Sequence, residues 1–218
     1  MDVRANSTGE GNFVKACSKF ISFVAVGGGG PVAIHKRDEI GRIKYPVINV
    51  HKGAVYDMDF SPFADNIIAT GGEDQYICVT NFPEDGLKPN ETYDTPNVKL
   101  EGNSIFFFFF LSFFPFLFPF PFSFLFFFFF FSFVLFLSFK MLISGNDVYI
   151  LSGHNKKINF LHWHPTANNI LGSAAYDNSV RIWDIEKSNC VFTLETGESP
   201  QFEWNTNGSL IAIASKDK

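Results

Sequence analysis

The chain repeats itself. HKGAVYDMDFSPFADNIIATGGEDQYICVTN, starting at His51, lies without a gap on HNKKINFLHWHPTANNILGSAAYDNSVRIWD, starting at His154, at an offset of 103 residues. His51 falls on His154, Pro62 on Pro165, Asn66 on Asn169, Thr70 on Ser173 and Asp74 on Asp177. A unit this short cannot bury an apolar face alone, so a repeated unit implies neighbours stacked on one another. Each unit divides into three short strands. KINFLHW alternates apolar and polar residues, HPTANN turns, NILGSAA is a compact apolar run, AYDNS turns, and VRIWDIE is a third strand. The expectation is an all-β fold of stacked sheets.

The polar residues of the unit sharpen this reading. His154 opens it, Ser173 sits in the second strand, Asp177 in the next turn, and Trp183-Asp184 closes the third strand. The pattern resembles a WD-repeat blade, with Gly153-His154 as its GH and Trp183-Asp184 as its WD. That resemblance implies a buried chain of hydrogen bonds, from Asp177 to His154, to Ser173, to the Trp183 indole. Buried polar groups need such partners. The first unit offers His51, Thr70 and Asp74 for the same chain, but carries Thr80-Asn81 where the second has Trp183-Asp184. A partial third copy places Trp204 on Trp163. Upstream, NFVKACSKFISFVAV forms strands of an earlier blade. Gly27–Gly30 and Pro31 then turn the chain into PVAIH, so the glycines precede a strand rather than the helix that a phosphate-cradling loop needs.

One segment does not fit. Phe106–Phe139 holds 21 of the 30 phenylalanines, and from Phe106 to Phe133 every residue is Phe, Leu, Ser or Pro. Those four amino acids have codons made of pyrimidines alone. A membrane helix would also draw on Ala, Val, Ile and Gly. The run therefore looks like a translated polypyrimidine tract of an intron. A membrane span competes, since the uncharged stretch exceeds the roughly 20 residues a spanning helix needs. Pro115, Pro119 and Pro121 oppose one regular helix. Removing Asn103–Gly153 joins VKLEG to HNKKINFLHWHP, an uninterrupted start to the second unit.

Several function classes are disfavoured. A net charge of −5 gives no basic footprint for nucleic acid. Cys17, Cys78 and Cys190 are scattered, odd in number and without CxxC spacing, which suits a reducing cytosol. No charged stretch followed by an apolar core opens the chain as a signal peptide would. His162 and His164 form an HxH pair able to share a strand face, but no third ligand stands at a telling distance, so no metal is expected. His154, Asp177 and Ser173 contain the residue types of a nucleophilic triad. The same trio in the other unit argues for a structural role, because catalytic sites are rarely copied into each structural repeat. No enzyme activity and no cofactor are expected.

Finer details resemble the coronin family of actin-associated propellers. They are GGGGPVAI, YPVINVHKGAVYDMDFSPFADNIIATGGED, FPEDGL, the rejoined LEGHNKKI, HPTANNIL, YDNSVRIWDIE and WNTNGSL. FPEDGL and HPTANN carry the match best. The resemblance implies an incomplete WD-repeat β-propeller, about three blades of a ring of roughly seven, interrupted by the low-complexity Phe-rich segment. The organisation expected is 1–102 as the first part of the propeller, 103–153 as the insertion, and 154–218 as its continuation. It further implies a cytoplasmic protein of the actin cytoskeleton that binds filamentous actin and affects filament turnover. The branched-actin nucleating complex would be reached through regions absent here. Lys156 and Lys157 are candidate contacts for acidic actin. The family's basic N-terminal segment has no counterpart. A generic WD-repeat scaffold and a membrane-anchored protein are the rival readings.

Overall fold

In a computed structural model, residues 11–39, 45–89, 92–94 and 148–216 are described. They form four sheets, and the described residues contain no α-helix. The first sheet runs β1 (Val14–Ala16), β2 (Phe20–Val24), β3 (Val32–Lys36), β4 (Val47–Asn49), then β8 (Thr92–Asp94). The second joins β5 (Val55–Phe60), β6 (Ile67–Gly72), β7 (Tyr76–Asn81) and β9 (Val148–Ser152). The third is β10 (Ile158–Trp163), β11 (Ile170–Ala175), β12 (Ser179–Asp184) and β13 (Asn189–Glu195). The fourth pairs β14 (Glu198–Trp204) with β15 (Ile211–Lys216). The fold is an all-β, incomplete WD-repeat propeller.

The repeat in sequence is a repeat in geometry. The register slips between Val55 and Asp57 in β5 and at the matching place, between Ile158 and Phe160, in β10. Gln75 and Asn178, 103 residues apart, turn the chain with φ of 71° and 63°. Burial follows the alternation of the strands. In β10, Ile158, Leu161 and Trp163 face the core, while His162 is half-buried. The second strand of each unit is rich in small residues because the next sheet packs onto it. A Cβ on Gly71 would sit 2.9 Å from Ile158 Cγ2, and one on Gly172 would sit 2.6 Å from the Phe202 ring.

Three features differ from the sequence expectation. The sheet before the first repeat, expected as part of a blade, has four antiparallel strands of its own. The FPEDGL segment, read from sequence only as part of the family resemblance, packs into the first sheet. Phe82 stacks edge-on against Phe20 at 5.1 Å, Leu87 is buried with them, and the chain then adds β8 in parallel to β4. Thus the link leaving the second sheet closes the edge of the first. Finally, residues 148–153, assigned to the insertion from sequence, are folded. Val148–Ser152 form the outer strand β9, with Leu151 opposite Ile77 and 1 % exposed. YILSG meets the local requirement for an outer strand before a GH as well as VKLEG does, so strand pattern alone could not choose between them. The Phe-rich run itself lies outside the described residues. Among those described, no helix is long and apolar enough to cross a membrane.

Candidate functional site

The polar residues singled out from sequence converge inside the second and third sheets. In the third, His154 comes from the segment entering β10, Ser173 from β11, Asp177 from the β11–β12 turn and Trp183 from β12. His154 Nδ1 lies 3.0 Å from Asp177 Oδ2, and Nε2 lies 2.7 Å from Ser173 Oγ. The Trp183 indole donates to the same Oγ at 2.8 Å. Asp177 also accepts from the Asn155 and Ser179 amides and the Ser179 hydroxyl. Ser173 is fully buried and bonded on both sides, so its hydroxyl cannot reach a substrate.

The second sheet builds the same chain with a different end. His51 Nδ1 lies 3.0 Å from both Asp74 oxygens, and Nε2 lies 2.8 Å from Thr70 Oγ1. Thr70 donates to the Cys78 carbonyl at 3.2 Å. Thr80, at the tryptophan position, buries a hydroxyl that has no partner among the described residues.

The electrostatics of the two sites diverge. Burial works against the charged form of His51, but Cys78 and Asp74 beside it outweigh burial and raise its pKa to about 10. Burial lowers the pKa of His154, and the Arg181 charge adds to the lowering against the pull of Asp177. Burial opposes ionisation of both turn carboxylates. Hydrogen bonds overcome it, chiefly from His51 to Asp74 and from the Asn155 amide to Asp177, and hold both below the usual range.

A second set of contacts, made by residues outside the repeated polar motif, joins neighbouring sheets. Asp57 Oδ2 accepts from the Leu161 amide at 2.8 Å, and Asp59 Oδ2 from the Trp163 amide at 3.1 Å. Two carboxylates on β5 thus cap backbone donors of β10, and burial raises the Asp57 pKa to about 7. The Trp163 indole donates back to the Asp59 carbonyl at 3.0 Å. One sheet further on, the Trp204 indole donates to the His162 carbonyl at 3.3 Å, the equivalent position. One sheet earlier, Phe60 stands in the tryptophan's place and Lys15 pairs with Asp59 at 3.4 Å instead. The signal available in sequence was the match of Trp204 to Trp163.

The remaining candidates separate. His164 Nε2 donates to the Gly208 carbonyl while Nδ1 accepts from the Thr166 and Ala167 amides. His162 lies between Asp59, 4.0 Å away, and Glu203, 3.8 Å away. Among the described residues, no group of three or more His, Cys, Asp or Glu could hold a metal. Lys156 is exposed. Lys157 is engaged, its ammonium 4.3 Å from the Tyr176 ring centre and 5.1 Å from that of Tyr56. The Gly27–Gly30 stretch is a turn, with Gly29 and Gly30 at φ of 86° and 66°, and the strand β3 follows it.

Residues 44–81 and 145–184 match the family model for the WD domain, G-beta repeat. The coronin-like protein crn1 of Schizosaccharomyces pombe is 26% identical over 195 residues, covering 88% of this chain and 24% of its own length. The coronin-like protein of Saccharomyces cerevisiae is 24% identical, covering 98% of this chain and 27% of its own length. Human coronin-2A is 26% identical, with coverages of 93% and 31%. The chain is similar to coronins along most of its length. The crystal structure of the WD40 domain from Toxoplasma gondii coronin matches all of this chain and 43% of that one, with a TM-score of 0.72 and 23% identity. That likeness shows the shared fold. The chain spans between 24% and 31% of these three curated coronins, so it is compared with only part of each.

Proposed function

We propose that this chain supplies early blades of a coronin-like protein that binds filamentous actin in the cytoplasm and acts in cytoskeletal organisation and filament turnover. The observation that carries this reading is the similarity to coronins over 87–98% of the chain in five of the relatives. The described site supports a scaffold rather than an enzyme, because its nucleophile-like hydroxyls are buried and spent on internal bonds. In this reading 1–102 and 154–218 are propeller, and 103–153 contains an insertion whose last residues also serve as β9. Contact with the branched-actin nucleating complex belongs to parts of coronins outside this span.

Ring closure matters to the test. Each blade buries its faces against its neighbours, and here Val191 and Phe192 of β13 and Leu210, just before β15, are more than half exposed. The experiment therefore uses the chain with Asn103–Gly153 removed and joined to the remaining blades of a coronin relative, spun with and without actin filaments. Salt-sensitive enrichment in the filament pellet is expected, since actin's surface is acidic. Equal pelleting with and without filaments would remove actin binding and leave a generic WD-repeat scaffold.

A further inference from the structure

The two repeats bury the same histidine in the same place, but the hydroxyl it meets has a different second partner, the Trp183 indole in one and the Cys78 carbonyl in the other. A hydroxyl has one hydrogen to give, an indole nitrogen only donates, and a carbonyl only accepts. In the His154 repeat, Ser173 Oγ accepts from the Trp183 indole, so its own hydrogen is free for His154 Nε2, 2.7 Å away. Nδ1 then carries the ring's one hydrogen to Asp177, and the ring is neutral. In the His51 repeat no indole reaches the hydroxyl. Instead the carbonyl of Cys78, the cross-strand partner of Thr70, stands 3.2 Å from Thr70 Oγ1 as an acceptor for the hydroxyl hydrogen, an acceptor that Ser173 lacks among the described residues. With that hydrogen on the carbonyl, His51 Nε2, 2.8 Å from Thr70 Oγ1, donates to the hydroxyl, and Nδ1 donates to Asp74. In that arrangement both ring nitrogens carry hydrogen, which makes an imidazolium.

The neighbours push in the same two directions. His51 is faced by Asp74 from the β6–β7 turn and Cys78 from β7, with Lys52 and Glu73 on the adjoining turns. His154 is faced by Asp177, by the Ser179 hydroxyl at 3.4 Å and by the Arg181 guanidinium of β12. Positions 78 and 181 are equivalent, as are 80 and 183. One repeat thus has a sulfur and a small hydroxyl residue where the other has a cation and an indole.

We propose that these third-strand pairs, Cys78 with Thr80 and Arg181 with Trp183, set the charge of the buried histidine, holding His51 as an imidazolium paired with Asp74 and His154 as a neutral ring. The raised pKa of His51 and the lowered pKa of His154 agree with the assignment. It makes adjacent blades sensitive to opposite ends of the pH scale. His51's folded pKa is raised, so its contribution is complete below its ordinary 6.5 and is lost as pH climbs toward about 10. His154's is lowered, so its contribution is lost as pH falls through and below 6.5. Protonating His154 forces two donors onto Ser173 and leaves the serine hydrogen without its acceptor. Acid thus loosens the His154 blade and spares its neighbour.

The test is nitrogen NMR of the histidine-labelled full chain, titrated between about pH 5 and 9. At neutral pH one buried ring should show two N–H groups and another only one. Trp183→Phe keeps the shape but removes the indole hydrogen. It should raise the apparent pKa of the singly protonated ring by about one unit or more and leave the doubly protonated ring unmoved. Arg181→Cys should shift the same ring in the same direction. If Trp183→Phe does not fold, the unmodified chain and Arg181→Cys decide the matter. Two buried rings with the same protonation at neutral pH would overturn the proposal. So would a His154 titration indifferent to both substitutions.

Discussion

Replacing Asp177 by alanine removes four hydrogen bonds at once, and the structure says which losses count. The His154 side chain is fully buried, so its Nδ1 hydrogen loses its acceptor with no water to replace it. The Ser179 hydroxyl loses its 2.7 Å bond but sits 3.4 Å from His154 Nδ1, close enough to recover part of the loss. The Asn155 amide belongs to an exposed residue, and water takes the place of the carboxylate there. One stranded buried donor costs about 1–3 kcal/mol. With partial recovery at Ser179, the expected total is about 2–3 kcal/mol. At roughly 2–4 °C per kcal/mol for a domain of this size, the melting midpoint should fall by about 4–12 °C. The assay is thermal unfolding followed by circular dichroism near neutral pH. Asp177→Asn, which keeps one acceptor oxygen, should lose less than Asp177→Ala. Asp74→Ala should lose more, about 3–5 kcal/mol, because it strands a charged ring rather than a neutral one. A midpoint for Asp177→Ala that does not move would refute the reasoning and leave the turn carboxylate as a solvated group.

Three further outcomes are expected. Trp163→Phe keeps the ring but deletes the indole bond to the Asp59 carbonyl, and should cost about 1 kcal/mol in denaturant unfolding. No change would mean that the sheets are joined by packing alone. Asp57 has a folded pKa raised to about 7, so its contribution is complete below its ordinary 3.8 and is lost as pH rises through about 7. Asp57→Asn should therefore gain stability relative to the parent chain as pH rises from about 5 to 8, and a constant difference across that range would contradict a buried, costly charge. Excising Asn103–Gly153 would bring Leu100 to the place of Leu151 and Gly102 to that of Gly153, so a spliced product keeps an outer strand for the second sheet. Mass spectrometry of the cellular protein should accordingly find peptides from the flanking repeats and none from Phe106–Phe139. Equal abundance of both would reject the intron reading.

The repeat, the strand order within it and the membership of the buried polar chains are legible in the amino-acid order alone. Strands announce themselves through alternation and turn residues, which are local. The residues His51, Thr70 and Asp74, like His154, Ser173 and Asp177, announce themselves by recurring at one spacing, because each repeat meets the same burial problem with the same partners. Tertiary structure decided what depends on neighbours distant in the chain. Asp57 and Asp59 read as ordinary exposed positions of an alternating strand until β10 is laid beside them and offers unpaired amides. Leu87 reads as a loop residue until Phe20 lies beneath it. VKLEG and YILSG satisfy the same local pattern, and only pairing with β7 selects β9. The charge on the two histidines was beyond the sequence for the same reason. It depends on where one hydroxyl hydrogen goes, which is set by the cross-strand carbonyl of Cys78 in one sheet and the indole of Trp183 in the other.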